Sequence, residues 1–196
     1  GYDVDSGDTP ATVLFIQCVF DATSAWVGGT QNHHFTNCTW GASTDVISIT
    51  GGGNTQISFA NCTMDTSGAT KTWLTLNGAS ASLGGLRLED CDFGLPDTNG
   101  VIYFQNTSGS NGHTIVGNRF AHSVGNTNPY IKSADADLTN CIIEGNAFGR
   151  DGSGNYKEDA GGISVSGNFT RSVFGPNAPA NKVTYDITGA NNEFYP

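Results

Sequence analysis

A six-residue phrase returns eight times along this chain: FIQCVF at 15–20, FTNCTW at 35–40, FANCTM at 59–64, LEDCDF at 88–93, then IVGNRF, IEGNAF, VSGNFT and GANNEF. Self-similarity of this kind constrains the fold more than any local motif, because each copy has to occupy an equivalent place in a repeating architecture. With Cys18, Cys38, Cys62, Cys91, Asn118, Asn146, Asn168 and Asn192 as the recurring position, the successive spacings are 20, 24, 29, 27, 28, 22 and 24 residues. Such uneven steps do not suit a horseshoe of helices. They suit stacked turns that carry loops of variable length.

The residues around the recurring position alternate as a strand does. Three residues before it stand Phe15, Phe35, Phe59, Leu88, Ile115, Ile143, Val165 and Gly189; five before it stand Val13, His33, Ile57, Leu86, His113, Cys141, Ile163 and Ile187. Two residues after it stand Phe20, Trp40, Met64, Phe93, Phe120, Phe148, Thr170 and Phe194. These columns are mainly apolar and the positions between them mainly polar, which is the period of two expected of strands with one face inward. Further alternating runs, VISIT at 46–50, WLTLN at 73–77 and VIYFQ at 101–105, add a second strand to several turns. No segment of helical length carries apolar residues at spacings of three and four.

Between these strands lie Asn, Asp, Ser, Thr and many of the 27 glycines, so tight turns and left-handed corners are expected. Asn at the recurring position fits such a corner, because Asn tolerates the left-handed region and its amide can bond the same amide one turn away. The G-N-x-F and N-C-x-F phrases resemble those of right-handed parallel β-helices of the pectin-lyase-like superfamily, over residues 11–196. The resemblance implies an all-β, single-stranded right-handed parallel β-helix of about eight turns, preceded by a lead-in at residues 1–10. Right-handedness rests on the resemblance and on the variable loops, since left-handed coils keep a stricter hexapeptide rhythm. The superfamily includes lyases, hydrolases, epimerases, phage tailspikes and adhesins, so the fold does not choose a chemistry.

Composition narrows the setting. A formal charge of −10, from 18 acidic and 8 basic residues, argues against nucleic acid and anionic membranes, which reward clustered Lys and Arg. A polyanionic sugar would be repelled unless a cation intervened. Few charges and abundant Ser, Thr, Asn and Gly are the surface of an extracellular or virion β-protein. No stretch of about 20 apolar residues is present, so no membrane insertion is expected, and GYDVDSGDTP does not read as a signal peptide. The expectation is a mature, trimmed or excised chain.

Four of the five cysteines share one inward column of successive turns, a geometry that does not suit disulfides, and they are expected as free, buried thiols packing as small hydrophobes. A thiolate ladder for a soft metal is the alternative, without a C-x-x-C pair to support it.

Three features carry candidate function. The first is a group of charges on the outer face of the repeated strand: Glu89 and Glu144 two turns apart, with Asp92 and Arg119 at one equivalent position of adjacent turns. The two glutamates would be about 9.6 Å apart at the backbone, near the separation that inverting glycosidases use; ordinary solvated ladder salt bridges are the alternative. A pectate-lyase-like site would add a calcium-binding Asp cluster and a basic residue, for which Asp90, Asp92 and Arg119 are the nearby candidates. The second is Trp73, Tyr103 and Tyr130 with Lys132, expected to point outward on three consecutive turns as a sugar-stacking surface or a homo-trimer interface. The third is the acidic segment 150–162, whose Asp151, Glu158 and Asp159 supply hard oxygens without a recognised calcium pattern. No cofactor is expected to be essential to folding, and calcium remains open.

His33 and His113 fall in an inward column, His34 and His122 read as single exposed residues, and no nucleophile-elbow, P-loop or zinc-protease motif occurs. The leading expectation is a carbohydrate-recognising or structural surface module of the tailspike or decoration type, with a polysaccharide or cell-surface glycan as partner. A polysaccharide lyase or glycoside hydrolase using Glu89, Asp92, Arg119 and Glu144, and a self-assembling extracellular fibre, are the alternatives.

Overall fold

The computed structural model of the chain describes residues 12–20, 25–28, 32–41, 47–51, 55–64, 72–77, 83–95, 98–105, 110–121, 128–134, 138–150, 163–165, 169–177, 185–187 and 191–194. All regular structure among them is strand, and every pairing is parallel. An eight-stranded sheet stacks Thr12–Ile16, Asn32–Thr36, Thr55–Ala60, Leu83–Glu89, Thr114–Val116, Ile142–Glu144, Val173–Phe174 and Glu193–Phe194 in chain order. A six-stranded sheet stacks Val19–Phe20, Thr39–Trp40, Thr63–Met64, Asp92–Phe93, Arg119–Ala121 and Ala147–Arg150. A seven-stranded sheet runs from Ala25–Gly28 through Ile47–Gly51, Leu74–Asn77, Ile102–Gln105, Ile131–Ala134 and Ile163–Val165 to Tyr185–Ile187. Ser110–Asn111, Leu138–Thr139 and Phe169–Thr170 form a short fourth sheet.

The chain visits these sheets in rotation, so the crossover that every parallel pair requires is made of the strands of the other sheets. The register places like on like: Phe15 against Phe35, Phe35 against Phe59, Phe59 against Leu88, Leu88 against Ile115 and Ile115 against Ile143. Ring centroids of Phe15, Phe35 and Phe59 follow one another at 4.8 Å, nearly coplanar in orientation, and Phe93, Phe120 and Phe148 repeat this at 5.0 and 4.9 Å. These separations equal the strand spacing, so identical side chains pack as flat stacks.

A tight corner joins the eight-stranded sheet to the six-stranded one. Gln17, Asn37, Asn61, Asp90, Gly117 and Gly145 form it, with φ between 52° and 70°, and the Asn, Asp and Gly among them are the residue types that tolerate this region. The left-handed residue thus lies one position before the expected one, and the recurring side chain turns inward instead. There it has a fixed task. Sγ of Cys38, Cys62 and Cys91 donates to the carbonyls of Phe15 (3.4 Å), Phe35 (3.6 Å) and Phe59 (3.5 Å). Nδ2 of Asn118, Asn146 and Asn177 donates to the carbonyls of Leu88 (3.1 Å), Ile115 (2.9 Å) and Ile143 (3.2 Å). All five cysteines are free thiols, and burial pushes the Cys38 thiol up and that of Cys141 up to about 11, which keeps them protonated donors. The amides also bond each other, Asn118 Nδ2 to Asn146 Oδ1 and Asn146 Nδ2 to Asn177 Oδ1, each at 3.0 Å.

The last two repeats take another register. Asn177, rather than Asn168, continues the ladder; Asn168 itself lies outside the described residues. Asn192 instead follows Ser172 and Cys141 in a column at the start of the eight-stranded sheet, and Phe194 pairs with Phe174. Ile163 and Ile187 belong to the seven-stranded sheet, where Ile163 pairs with Ile131 and Ile187 with Val165. The reason is a second corner with the same signature, at Gly112, Asn140, Arg171 and Asn191, where the chain enters the eight-stranded sheet. A left-handed residue followed by a small polar inward residue and a strand occurs twice per turn there, and the phrase alone cannot say which corner it marks.

His113 is 1 % exposed; its Nδ1 accepts the Leu86 amide at 2.9 Å, while Nε2 finds no hydrogen-bond partner and the ring lies 5.0 Å from that of Phe104. Burial lowers its pKa from 6.5 to about 4. A depressed folded pKa means that the unfolded chain binds the proton better, so the stability is complete above the unfolded value and is lost as pH falls through the folded one. Between pH 7 and pH 4 the native state is expected to lose about 3 kcal/mol through this group alone, and His113→Gln should remove that part of the slope in urea unfolding. At pH 7, Asn146→Ala strands the Asn118 amide groups and should destabilise by about 2–4 kcal/mol, read as a fall in the urea midpoint.

Candidate functional site

On the outer face of the eight-stranded sheet the register stacks Leu14, His34, Ser58, Arg87, Thr114 and Ile142 in one column. The next outward column holds Ile16, Thr36, Ala60, Glu89, Val116 and Glu144. An open depression of about 420 Å³ lies over the first of these, lined by His34, Gln56, Ser58, Arg87, Gly112 and Thr114 among others. Its floor is made irregular by a register shift between Leu83 and Leu86, where Gly85 adopts φ 122°. Nδ1 of His34 lies 2.6 Å from Oγ of Ser58. His34 is therefore not the isolated residue that its sequence context suggests. The signal was present in the repeat: His34, Ser58, Arg87 and Thr114 all stand four residues before the recurring position.

The four expected charges divide into engaged and separate groups. Glu89 and Glu144 do share a column, with Val116 between them. Asp92 pairs in register with Arg119, and the guanidinium closes on the carboxylate with two hydrogen bonds, through Nε and an Nη. Arg87 lies 2.6 Å from a Glu89 oxygen, and this carboxylate holds the guanidinium pKa above its ordinary value. Glu144 packs over Gly175, where an added Cβ would lie 2.5 Å from the Glu144 Cβ. Asp90 occupies a left-handed corner, with its Oδ1 2.5 Å from where a Gly117 Cβ would be. These contacts fit ladder pairs between rungs, and among the described residues no three of His, Cys, Asp and Glu gather as metal ligands. Asp151, Glu158, Asp159 and His122 lie outside the described residues.

The outward aromatic stripe does not form. Trp73 and Tyr130 are completely buried, and burial pushes the Tyr130 phenol up; Tyr103 alone is half-buried on the seven-stranded sheet. Strand alternation fails here because Trp73, Val101 and Tyr130 stand at a bend that precedes the strand. The amides of Trp73 and Leu74 both donate to the Val101 carbonyl, and those of Val101 and Ile102 both donate to the Tyr130 carbonyl. Two consecutive amides aimed at one carbonyl require a turned backbone, which brings two consecutive side chains inward. Lys132 stands beside Tyr103 in register, and its Nζ donates to the Thr98 carbonyl at 2.9 Å. Large apolar side chains that do face water are Leu14, Ile16, Val19 and Ile142.

Compared with known proteins, the chain matches no family model, no curated protein and no solved structure.

Since the Trp73 ring fills the core, Trp73→Ala is expected to destabilise by about 3–5 kcal/mol in chemical unfolding rather than to weaken a surface interaction.

Proposed function

We propose that the chain is a surface module, presented outside the cell or on a virion, whose sheets wind as a right-handed parallel β-helix of about eight turns of the pectin-lyase-like kind, and that it binds a carbohydrate along the outer face of its eight-stranded sheet. The observation that carries this reading is the depression over His34, Gln56, Ser58, Arg87 and Thr114. Its side chains are hydroxyl, amide, imidazole and guanidinium groups, the donors and acceptors that recognise sugar hydroxyls. They recur at the strand spacing of about 4.8 Å, so successive rungs present similar groups to successive sugar units. The chain's formal charge of −10 favours a neutral glycan over a polyanionic one. Binding of this kind requires no cofactor.

A polysaccharide hydrolase or lyase built on Glu89, Asp92, Arg119 and Glu144 is the second reading, supported by the two-rung separation of the glutamates. The closed Asp92–Arg119 and Arg87–Glu89 pairs favour binding over this chemistry. The companion expectation of a homo-trimer loses the ring stripe as its surface, since two of its three rings are buried.

Affinity electrophoresis through neutral polysaccharides tests the binding reading. Arg87→Ala should weaken retention at least tenfold with the fold intact, while Tyr103→Ala on the other sheet leaves retention unchanged. Equal loss in both, or retention that neither changes, would remove the depression from the account.

A further inference from the structure

Ser58 and His34 are held opposite each other by the strand register, with 2.6 Å between Oγ and Nδ1. A hydroxyl against an imidazole is the arrangement by which a weak oxygen nucleophile is activated, since the ring can take its proton as the oxygen attacks. Exposed ladders of Ser, Thr and His also arise for purely structural reasons, so the surroundings decide. Both residues are half-buried and line the depression, where a ligand can reach them. Arg87 stands one rung beyond Ser58 in the same column, and Glu89 contacts one of its Nη atoms, so further N–H groups of the guanidinium remain to meet an anion. The break in register between Leu83 and Leu86 adjoins this point, and bulges of this sort are enriched beside active sites because they re-aim what flanks them. On the far flank, a Cβ added to Gly112 would meet nothing within 4 Å, which leaves open space beyond the pair.

From these contacts we infer that Ser58 and His34 form a nucleophile and base that cleave O-acyl esters. The sugar part of the substrate, an O-acylated glycan, rests on the carbohydrate-binding reading; the dyad itself does not. Ser58 Oγ attacks the acyl carbon while its proton passes to His34 Nδ1, and the tetrahedral oxyanion develops on the side of the Arg87 guanidinium. Collapse breaks the bond to the alkoxide, which leaves as the alcohol with the proton from His34. Water then attacks the acyl-serine, giving its proton to His34; the carboxylic acid departs and the proton returns to Ser58 Oγ. No oxidant, metal or other co-reactant enters. An ester suits this pair better than an amide: among the described residues no carboxylate hydrogen-bonds His34, and a base without such support is best matched to an alkoxide leaving group.

The test uses the full chain with two probes that contain no sugar. A fluorophosphonate should form one covalent adduct, mapped to Ser58 by peptide mass spectrometry. p-Nitrophenyl acetate should be hydrolysed at a rate that Ser58→Ala lowers at least a hundredfold and His34→Gln by a similar factor, with circular dichroism unchanged. The wild-type adduct is independent of whether either variant folds. Absence of an adduct at Ser58, or hydrolysis that Ser58→Ala leaves unchanged, overturns the dyad. Glycan retention without an adduct would sink the dyad and spare the binding reading; an adduct without retention on any glycan would do the reverse.

Discussion

The corner after each strand of the eight-stranded sheet is the constraint on which the rest depends. The chain has to turn sharply from one sheet into the next, and the turn leaves the carbonyl three residues before the recurring position without a strand partner. In the described ladder, an inward thiol or amide on the following rung reaches back to that carbonyl, from Cys38 to Phe15 at one end and from Asn177 to Ile143 at the other. A buried carbonyl without a donor is expensive, so this side chain fixes the rung spacing as well as satisfying the corner. Once the corner is fixed, the alternation of the preceding strand decides which residues stack inward and which form the outer columns. The aromatic stacks are a consequence of that in-register pairing, since equal positions on equal corners place Phe15, Phe35 and Phe59 directly above one another.

This dependence explains what was legible in the sequence. The first six repeats could be aligned residue by residue, because Cys18 through Asn146 all mark the same corner. Their consequences follow, including the shared column of Glu89 and Glu144 and the opposition of Asp92 to Arg119. The seventh and eighth repeats could not, because a second corner of like chemistry had arisen at Gly112, Asn140, Arg171 and Asn191. Trp73 and Tyr130 failed for a different reason. Alternation predicts facing only while the backbone is extended, and both rings stand at a bend whose existence shows in the amides rather than in the residue types. A large aromatic next to a strand is inward at such a bend for the same reason that it would be outward within the strand.

The outer face shows how a repeat can build a site without a motif. His34, Gln56, Ser58, Arg87 and Thr114 are separated by up to 80 residues of sequence, and no short pattern contains them. Rung spacing brings them together, and the bulge at Gly85 with the bare position at Gly112 keeps the space above them open. Carboxylates, which the sequence makes conspicuous, are the groups most engaged by neighbours. The candidate chemistry therefore shifts from the acidic residues to the neutral and basic ones.

The ladder changes from thiol to amide between Cys91 and Asn118, and the change runs in one direction. A thiol rung needs a carbonyl on the rung before it. An amide rung needs that carbonyl and, in addition, an amide oxygen on the rung after it, as Asn118 finds in Asn146 and Asn146 in Asn177. The oxygen of Asn118 is met by the Cys91 amide, so the junction is satisfied as it stands. Thiol turns are in this sense interchangeable units that could be duplicated or lost singly, whereas the amide turns form a block that has to be inherited whole. A chain of this kind can change length at its thiol end and keep its amide end, which makes the number of turns a freely variable trait in one half of the molecule and a fixed one in the other.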